Sequence, residues 1–585
     1  MFAFPDGAQL RLQINFCKNP NCVNYGVPVT GNKWERMPPS NDSKTGGYQL
    51  SGVLAEAAFK CKACNEYPPL KSNSGVVEEL ARITKYCLPK EVVSCTNEAC
   101  PNHNKSKTEG RYKRAGKTSQ GSQRYQCLEC GKTFSVSARV TLRQRYPRLN
   151  TQVMALLLNK SPLSRICEVL DISPKTLYNR IDFIHEQCLV FAAKKEKELP
   201  AIAKGKKLYI SVDRQDYIVN WSRRKDRRNL QLRAIGSADL NSGYVFGMHL
   251  NFDPSLERDE IEGDAEKSGD YSRPMAHRKY ARLWLGPDYE VAVDASATKK
   301  RRKALKAGAT VEDDVGARYA EALSRPDIES SELPSKEQAL PNYGMQVRSE
   351  YTMYAHFYWL RHLLRDAEKV RFFMDQESGI RAACLSAFEK EIKARKCDAL
   401  YVRLGKDMTV GEKRQAQAEA KDRFNAAASA FPEGTPKWVV EVAMMKEEMA
   451  RASSIGSWKD RWVSHPLPNG AEPLKAICYL TDYKDYDEDH QARLFLKATL
   501  HPIDRFFMLL RRRVNMLERS LSTASKAGRQ WHGYSAYQPG NIEKLLDTFR
   551  TYYNFGIVGG DKKTPAMRLG LTDRVYSKAE ILNME

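Results

Sequence analysis

Eight cysteines recur in one pattern over the first 130 residues. Cys17 and Cys22 form C-x4-C and are followed by Cys61 and Cys64 as C-x2-C; Cys95 and Cys100 repeat the C-x4-C, followed by Cys127 and Cys130 as C-x2-C. Two short-spaced pairs joined by a loop place four thiolates around one tetrahedral Zn²⁺, each pair on a tight knuckle. The spacing therefore predicts two structural Zn²⁺ ions, one held by Cys17, Cys22, Cys61 and Cys64, the other by Cys95, Cys100, Cys127 and Cys130. The competing readings are paired disulfides or unligated thiols. Cys22-Val-Asn-Tyr25 aligns with Cys100-Pro-Asn-His103, and a tyrosine in the place of His103 argues that His103 is not a ligand. Four thiolates leave no open position for water, so catalysis must be sought elsewhere. The other cysteines (Cys87, Cys167, Cys188, Cys384, Cys397 and Cys478) lack such spacing and are expected in the core.

Acidic residues at strand ends supply the other candidate chemistry. In LYISVDRQDYIV, Leu208, Ile210 and Val212 alternate with Tyr209 and Ser211, which predicts a buried strand ending in Asp213, with Asp216 beyond it. Two more strands follow, NLQLRAIGSAD and YVFGMHLNFD, around a turn at LNSG. Later, SEYTMYAHFYWLRHLL predicts an amphipathic helix and VRFFM a strand ending in Asp375. An acid at the end of each of two apolar strands is costly beside a core if unpaired, but natural if both share divalent cations. The third acid is expected from a helix over 504–525, DRFFMLLRRRVNMLERSLSTAS, which supplies Glu518 with Asn515 and Ser522 on its side. Arg511, Arg512, Arg513 and Arg519 flank it as phosphate-holding groups. Glu377, two residues after Asp375, is a rival metal ligand. The run DYKDYDEDH (482–490) is a rival third acid, though its clustering reads as a solvated loop or helix start.

Between cysteines and acids, residues 150–188 show three helical periods. Val153, Leu156 and Leu157 mark a first inner face; Ser161 is placed to cap a second helix carrying Leu163, Ile166, Cys167 and Leu170. Asp171-Ile172-Ser173 makes the turn, with Ser173 as N-cap and Pro174 at the first helical position. The third helix buries Leu177, Ile181 and Ile184 and exposes Lys175, Thr176, Asn179 and Arg180 near its start. This is the layout in which a helix enters the major groove of DNA; an ordinary three-helix bundle shares its periodicity.

The remaining signals concern the positioning elements. At 585 residues the chain calls for several domains, and a formal charge of +23 favours a polyanionic partner. RYKRAGKTSQGSQR (111–124) reads as a flexible basic loop suited to phosphates, and RRKDRR (223–228) as another phosphate-binding candidate. No stretch is long and apolar enough for a membrane span, and the start lacks a secretion-signal layout, so a reducing interior and no membrane partner are expected. CDALYVRLG (397–405) predicts a further core strand. EKRQAQAEAKDRFNAAASAF and KWVVEVAMMKEEMARA predict helices of an inserted subdomain, in which Trp438, Trp458 and Trp462 are expected to be packed rather than stacked on bases. Residues 254–345, with TKKRRKALK (298–306), suggest a mobile excursion. No Gly-rich phosphate loop is present, so nucleotide hydrolysis is not indicated.

Taken with these motifs, YQCLECGKTFS resembles the closing half of many zinc ribbons. NMLERS, YSAYQPGNIEKLLDTFRTYYNFG and KKTPAMRLGL resemble the N-x-x-E-R helix, the helix finishing in YYN and the TPA-x-x-x-GL tail of bacterial insertion-sequence transposases of the DDE type. The resemblance implies a multidomain α/β protein: two N-terminal zinc ribbons (1–90 and 91–145), a helix-turn-helix (146–192), and a ribonuclease H-like core with a mainly helical insertion. The core's first part would span 205–405, with the flexible insertion at about 254–345. The inserted subdomain would be 406–500, and the last part, with the Glu helix and tail, 501–585. It implies catalytic Asp213, Asp375 and Glu518 holding two Mg²⁺ (or Mn²⁺) for phosphoryl transfer. Water would free a 3′-OH at the element's end, and that 3′-OH would attack target DNA. Tyr552 and Tyr553 then need not be nucleophiles. It further implies double-stranded DNA as partner, a homodimer or larger assembly on it, and a cytoplasmic, nucleoid-associated bacterial setting. The alternatives are a non-catalytic DNA-binding regulator derived from a transposase and a ribonuclease H-like nuclease that cuts without joining.

Overall fold

The computed structural model describes the chain apart from residues 1, 30–46, 52–56, 88–93, 104, 106–109, 120, 137–140, 142–143, 222–225, 299–333, 406–407, 456–459, 469–471, 473, 520–532, 534 and 584–585. Its fold is mixed α/β around one large sheet. The strands are β1 (Lys207–Val219), β2 (Leu230–Asp239), β3 (Val245–Leu250), β4 (Lys369–Asp375), β5 (Cys397–Leu404), β6 (Ser453–Ile455), β7 (Asp460–Ser464) and β8 (Lys475–Tyr479). They lie in the order β3-β2-β1-β4-β5-β8-β7-β6. β1, β4 and β5 are mutually parallel neighbours and the remaining pairs are antiparallel. β4 and β5 are buried on both faces, and the charges they carry are paired inside the sheet, Lys369 and Arg371 on Asp398 (3.0 Å each).

Two sequence expectations change here. β1 does not end at Asp213 but continues to Val219, so Asp216 lies within the strand, where its carboxylate accepts from Gln231 (2.8 Å). The pairing with β2 persists as far as Val219↔Leu230, and this ladder carries the strand past the acid. The segment 406–500 supplies the expected helices, Val410–Ala428 and Lys437–Ala450, but also β6, β7 and β8, which extend the central sheet from the edge of β5. Trp462 lies inside this extension, 2% exposed and stacked on Tyr401, whereas Trp438 is exposed on its helix; Trp458 lies outside the described residues.

The helices that surround the site are α1 (Asn73–Thr84), α2 (Arg148–Leu157), α3 (Leu163–Leu170), α4 (Pro174–Glu196), α5 (Ser349–Leu363), α6 (His501–Arg513) and α7 (Gly540–Gly556). α5 is not amphipathic in place: nearly every residue from Ser349 to Leu360 is buried, because the sheet lies on one side and α1 on another. α6 lies on the opposite face. Ile503 N–H donates to Ser211 Oγ (3.3 Å), and the side chains of Ile503, Met248 and Phe507 fill the space that Gly236 leaves on β2. α7 packs beside α6 through Phe506, Phe549 and Tyr553. Its Asn554 amide both accepts from and donates to the backbone of Val245 (2.9 and 2.8 Å), replacing a neighbouring strand at the β3 edge.

Part of the 254–345 stretch packs on the core. Ala281, Leu283, Trp284 and Leu285 are buried, and Met345–Gln346 pairs with Phe252–Asp253. The basic cluster at 299–306 falls outside the described residues. Among the described residues no helix is long and apolar enough to cross a membrane.

Candidate functional site

The cysteines form two clusters. Among the described residues the four ligand atoms of Cys17, Cys22, Cys61 and Cys64, and those of Cys95, Cys100, Cys127 and Cys130, lie within 4.8 Å of one another. The closest sulfur pairs are Cys17–Cys64 at 3.4 Å, Cys22–Cys61 at 3.6 Å, Cys95–Cys130 at 3.2 Å and Cys100–Cys127 at 3.7 Å. These are too long for disulfides. They approach the roughly 3.8 Å between sulfurs that Zn–S bonds of about 2.3 Å impose at tetrahedral angles. The donor set fits a structural Zn²⁺ in each.

Both clusters carry a second layer of bonds. Two residues after the second cysteine, the amides of Asn24 and Asn102 point at Cys61 Sγ (3.3 Å) and Cys127 Sγ (3.4 Å). The hydroxyls of Tyr48 and Tyr112 donate to the carbonyls of those same asparagines (2.8 and 2.6 Å). Such contacts favour thiolate over thiol and hold the knuckles open for a metal. The hydrogen bond between Cys17 and Cys64 draws the Cys64 thiol down to about 5 and pushes Cys17 up, so without a metal the pair keeps one proton between them. Against the upward push of burial, Asn102 and the N–H groups of Cys130 and Glu129 bring Cys127 to about 6. His103 is not among the clustered ligands; its Nδ1 instead bonds Cys95 O (2.8 Å). Sequence reasoning missed these asparagines and tyrosines, although the asparagine stands at the same offset in both copies.

The acids are positioned by the parallel sheet. Phe373 pairs with Ser211 and Met374 with Val212, so one step further the register sets Asp375 against Asp213, on strands about 4.8 Å apart. Asp213 is 8% exposed and faces the same side of the sheet as Ser211, the side that α6 covers. Asp375 Oδ1 and Gln376 Oε1 are buried without a hydrogen-bond donor. A buried carboxylate oxygen without a donor, as on Asp375, suits a hard divalent cation such as Mg²⁺. Glu377 Oε1 faces Arg214 Nη1 at 3.1 Å, so it belongs as much to that ion pair as to a metal. Gln376 carries no mark in the sequence beyond its place between two acids.

Glu518 is placed differently from expectation. α6 stops at Arg513; Val514 turns to extended backbone, Asn515–Leu517 form one 3-10 turn, and Glu518 follows in extended conformation. The predicted helix over 504–525 is therefore broken before the acid, with Val514 and Leu517 buried beneath the break; Ser522 lies outside the described residues. Glu518 pairs with Lys160 Nζ at 2.9 Å. Asp213, Asp375 and Glu518 are not drawn to within 4.8 Å of one another. Arg511 is close enough to Asp213 for their charges to interact; burial, then Arg519, lowers its pKa, and Tyr217, Asp504 and Asp213 oppose them. Arg512 and Arg519 are exposed. The acidic run 482–490 serves other ends, Asp487 capping the helix Glu488–Lys497 and Asp485 pairing with Arg395.

The three-helix unit follows its sequence signals closely. Ser173 Oγ caps α4 by accepting from Thr176 N–H (3.2 Å), Pro174 occupies the first position, and Leu177, Ile181 and Ile184 are buried. α3 starts one residue later than expected, with Pro162 rather than Ser161 at the cap and no side-chain cap bond. Lys175 and Asn179 are exposed and Thr176 half-buried. Arg180 is turned inward, its guanidinium bonding Gln144 and Asn150 (3.2 Å to the latter), so it ties the start of α2 to α4 instead of standing free. The basic stretch 111–124 is not a loop: Tyr112–Lys117 and Gln123–Cys127 form an antiparallel hairpin that continues into Thr133–Val136. Alternation puts Lys113, Arg124, Gln126, Thr133 and Ser135 on one face, opposite the Tyr112–Phe134–Tyr125 ring cluster. Of RRKDRR, only Asp226, Arg227 and Arg228 are described, and Arg228 is paired with Asp226 (2.7 Å).

No protein-family model matches the chain, and a search of curated proteins finds no match.

Proposed function

We propose that this protein is a DNA transposase of the DDE type, with Asp213, Asp375 and Glu518 as its catalytic acids. The reading rests above all on one observation: two acids 162 residues apart in sequence lie side by side on neighbouring parallel strands, and an oxygen of the second is buried without a donor. Two carboxylates so close are costly to keep charged beside a core, and shared divalent cations offset that cost. Three antiparallel strands followed by two parallel ones, with these acids on β1 and β4, support a ribonuclease H-like core. The terminal motifs also have physical roles that favour retention of the whole. Thr564 caps a short helix with Pro565 at its first position, Gly570 ends it at φ +89°, and Asn554 seals the β3 edge.

Asp213 and Asp375 would hold divalent cations, with Glu518 as the third carboxylate. Bound there, such ions activate an attacking oxygen and stabilise a leaving one in phosphodiester chemistry. Arg511, Arg512 and Arg519 stand at the same end of α6 and would hold the phosphates on either side of the cut. Lys175, Thr176 and Asn179 at the start of α4 would reach base edges, while the two Zn²⁺ clusters keep their knuckles rigid. Tyr553 packs against Phe506 and Phe549, and Tyr552 accepts from Lys578 (2.9 Å), so neither is poised as a nucleophile.

The test is cleavage and joining of a labelled duplex carrying the DNA that flanks the coding sequence, in Mg²⁺ or Mn²⁺. Wild-type protein should cut and join. Asp213→Asn and Asp375→Asn should each abolish both steps while retaining duplex binding. Wild-type levels of joining by Asp375→Asn would defeat the assignment.

A further inference from the structure

The turn between α2 and α3 touches the third acid. Lys160, in that turn, has left-handed backbone (φ 64°), which a residue with a side chain keeps only where its surroundings hold it. Its N–H donates to the carbonyl of Arg513 (2.7 Å), the last residue of α6, satisfying one of the acceptors that a helix end leaves open. Its ammonium meets Glu518 Oε1 at 2.9 Å. One residue of the three-helix unit thus grips both ends of the Arg513–Glu518 link, the stretch in which the chain leaves the helix.

Resting on the function proposed above, we infer that Lys160 is a positioning residue: it holds Glu518 off the Asp213–Asp375 pair while the three-helix unit is docked, and releases it when that unit takes up DNA. Three observations carry this. The acid oxygens are not gathered into one site, although α6 lies on the same face of the sheet as Asp213. The side chains of the ion pair are 43% and 26% exposed, so water screens it; the contact biases a position without locking it. The lysine also belongs to the unit whose exposed Lys175 and Asn179 would meet DNA, and an arriving phosphate is a competing anion for its ammonium. By linkage, cations that recruit Glu518 must in turn loosen Lys160.

Mn²⁺ titration of the zinc-loaded full-length protein, read from the EPR signal of the free ion, tests the latch without any DNA. Lys160→Met keeps the aliphatic stem and the backbone bond to Arg513 but removes the charge. It should tighten Mn²⁺ binding about two- to fivefold, the population shift available from a screened ion pair. The gain should vanish in the Lys160→Met/Glu518→Gln double variant, and Lys160→Arg should bind as the wild type does. If Asp375→Asn weakens Mn²⁺ binding but Lys160→Met leaves it unchanged, the acids hold metal and the latch is wrong. A gain that survives Glu518→Gln overturns it as well. If Asp375→Asn binds as the wild type does, the metal site itself is refuted, and the latch falls with it.

Discussion

At Cys22 and at Cys100 the chain builds the same knuckle twice: four sulfurs, an asparagine amide on the opposite pair, and a tyrosine hydroxyl on that asparagine's carbonyl. Beyond those bonds the two units part. The first is sewn into the main core. Tyr25 Oη donates to Leu385 O (2.7 Å), Tyr483 Oη to Pro20 O (3.2 Å), Lys71 pairs with the buried Glu350 (3.1 Å), and Glu66 faces Arg381 (3.6 Å). The second has a small core of its own, Cys95, Cys100 and Cys127 with Tyr112, and the bonds around its cluster join residues within 95–130. From Ser94 to Val136 the chain carries eight basic side chains against three acidic ones, whereas the first unit buries Lys18 and Lys71. The same metal geometry thus serves as a strut in one place and as a basic head in the other. The position that separates them is the one after the shared asparagine, Tyr25 reaching outward and His103 folding back on its own knuckle.

Metal loss gives the largest separation. A structural Zn²⁺ contributes on the order of 10–16 kcal/mol to the unit that needs it. Cys61→Ser should therefore lower the unfolding temperature of the whole molecule and leave little folded protein at 37 °C. Cys127→Ser should release one Zn²⁺ and leave the main calorimetric transition where it was. Equal shifts from the two substitutions would break the comparison. Next in size is Glu66→Ala. Glu66 is 2% exposed, accepts from Lys18 N–H, lies 2.9 Å from Cys17 Sγ and faces Arg381; burial pushes its carboxyl above the usual range. Removing it should cost about 2–4 kcal/mol in denaturant unfolding. In the second unit the described Glu129 instead pairs with Arg111 at the surface (3.2 Å).

The basic head supplies the third difference. Lys113→Gln with Arg124→Gln on its exposed face should weaken binding of a random-sequence duplex about tenfold, some 1.4 kcal/mol. The slope of log affinity against log salt should fall by about 1.8, two phosphate contacts at roughly 0.9 each. The thermal transition of the core should not move. An unchanged salt slope would mean that the hairpin face meets something other than DNA.

What the sequence made legible followed from short-range rules. Cysteine spacing located both clusters, the Ser173-Pro174 start located α4, alternation located β1, and the apolar run VRFFM located β4. Long-range packing stayed hidden. Nothing local in NMLERS shows that Val514 and Leu517 will be buried and end the helix before Glu518, or that Lys160 will be the partner of that acid. Nothing local in SSI, DRWVS or KAICY shows that these short runs extend the central sheet, because strand pairing at the β5 edge is decided by what else could cover it. The basic stretch 111–124 looked like a loop because lysines, arginines and glycines are poor strand formers. The Tyr112–Phe134–Tyr125 rings and the metal knuckle on one face override that preference.

Tyr25 sets the finest test of the difference between the units. Its hydroxyl donates to Leu385 O, which lies in the last turn of the helix Ser378–Ala387 and so has no donor four residues on within that helix. Tyr25 is 1% exposed, so water cannot take over that bond. Tyr25→Phe keeps the edge-on ring contact with Phe16 at 6.0 Å and removes only the hydroxyl. The expected loss is about 1 kcal/mol, the net worth of one buried neutral hydrogen bond, and it should appear in the unfolding of the core. His103→Phe, the matching change in the second unit, removes a bond confined to that unit and should leave the core transition unmoved. If both changes shift the core equally, the second unit is coupled to the sheet after all, and the contrast between strut and head gives way.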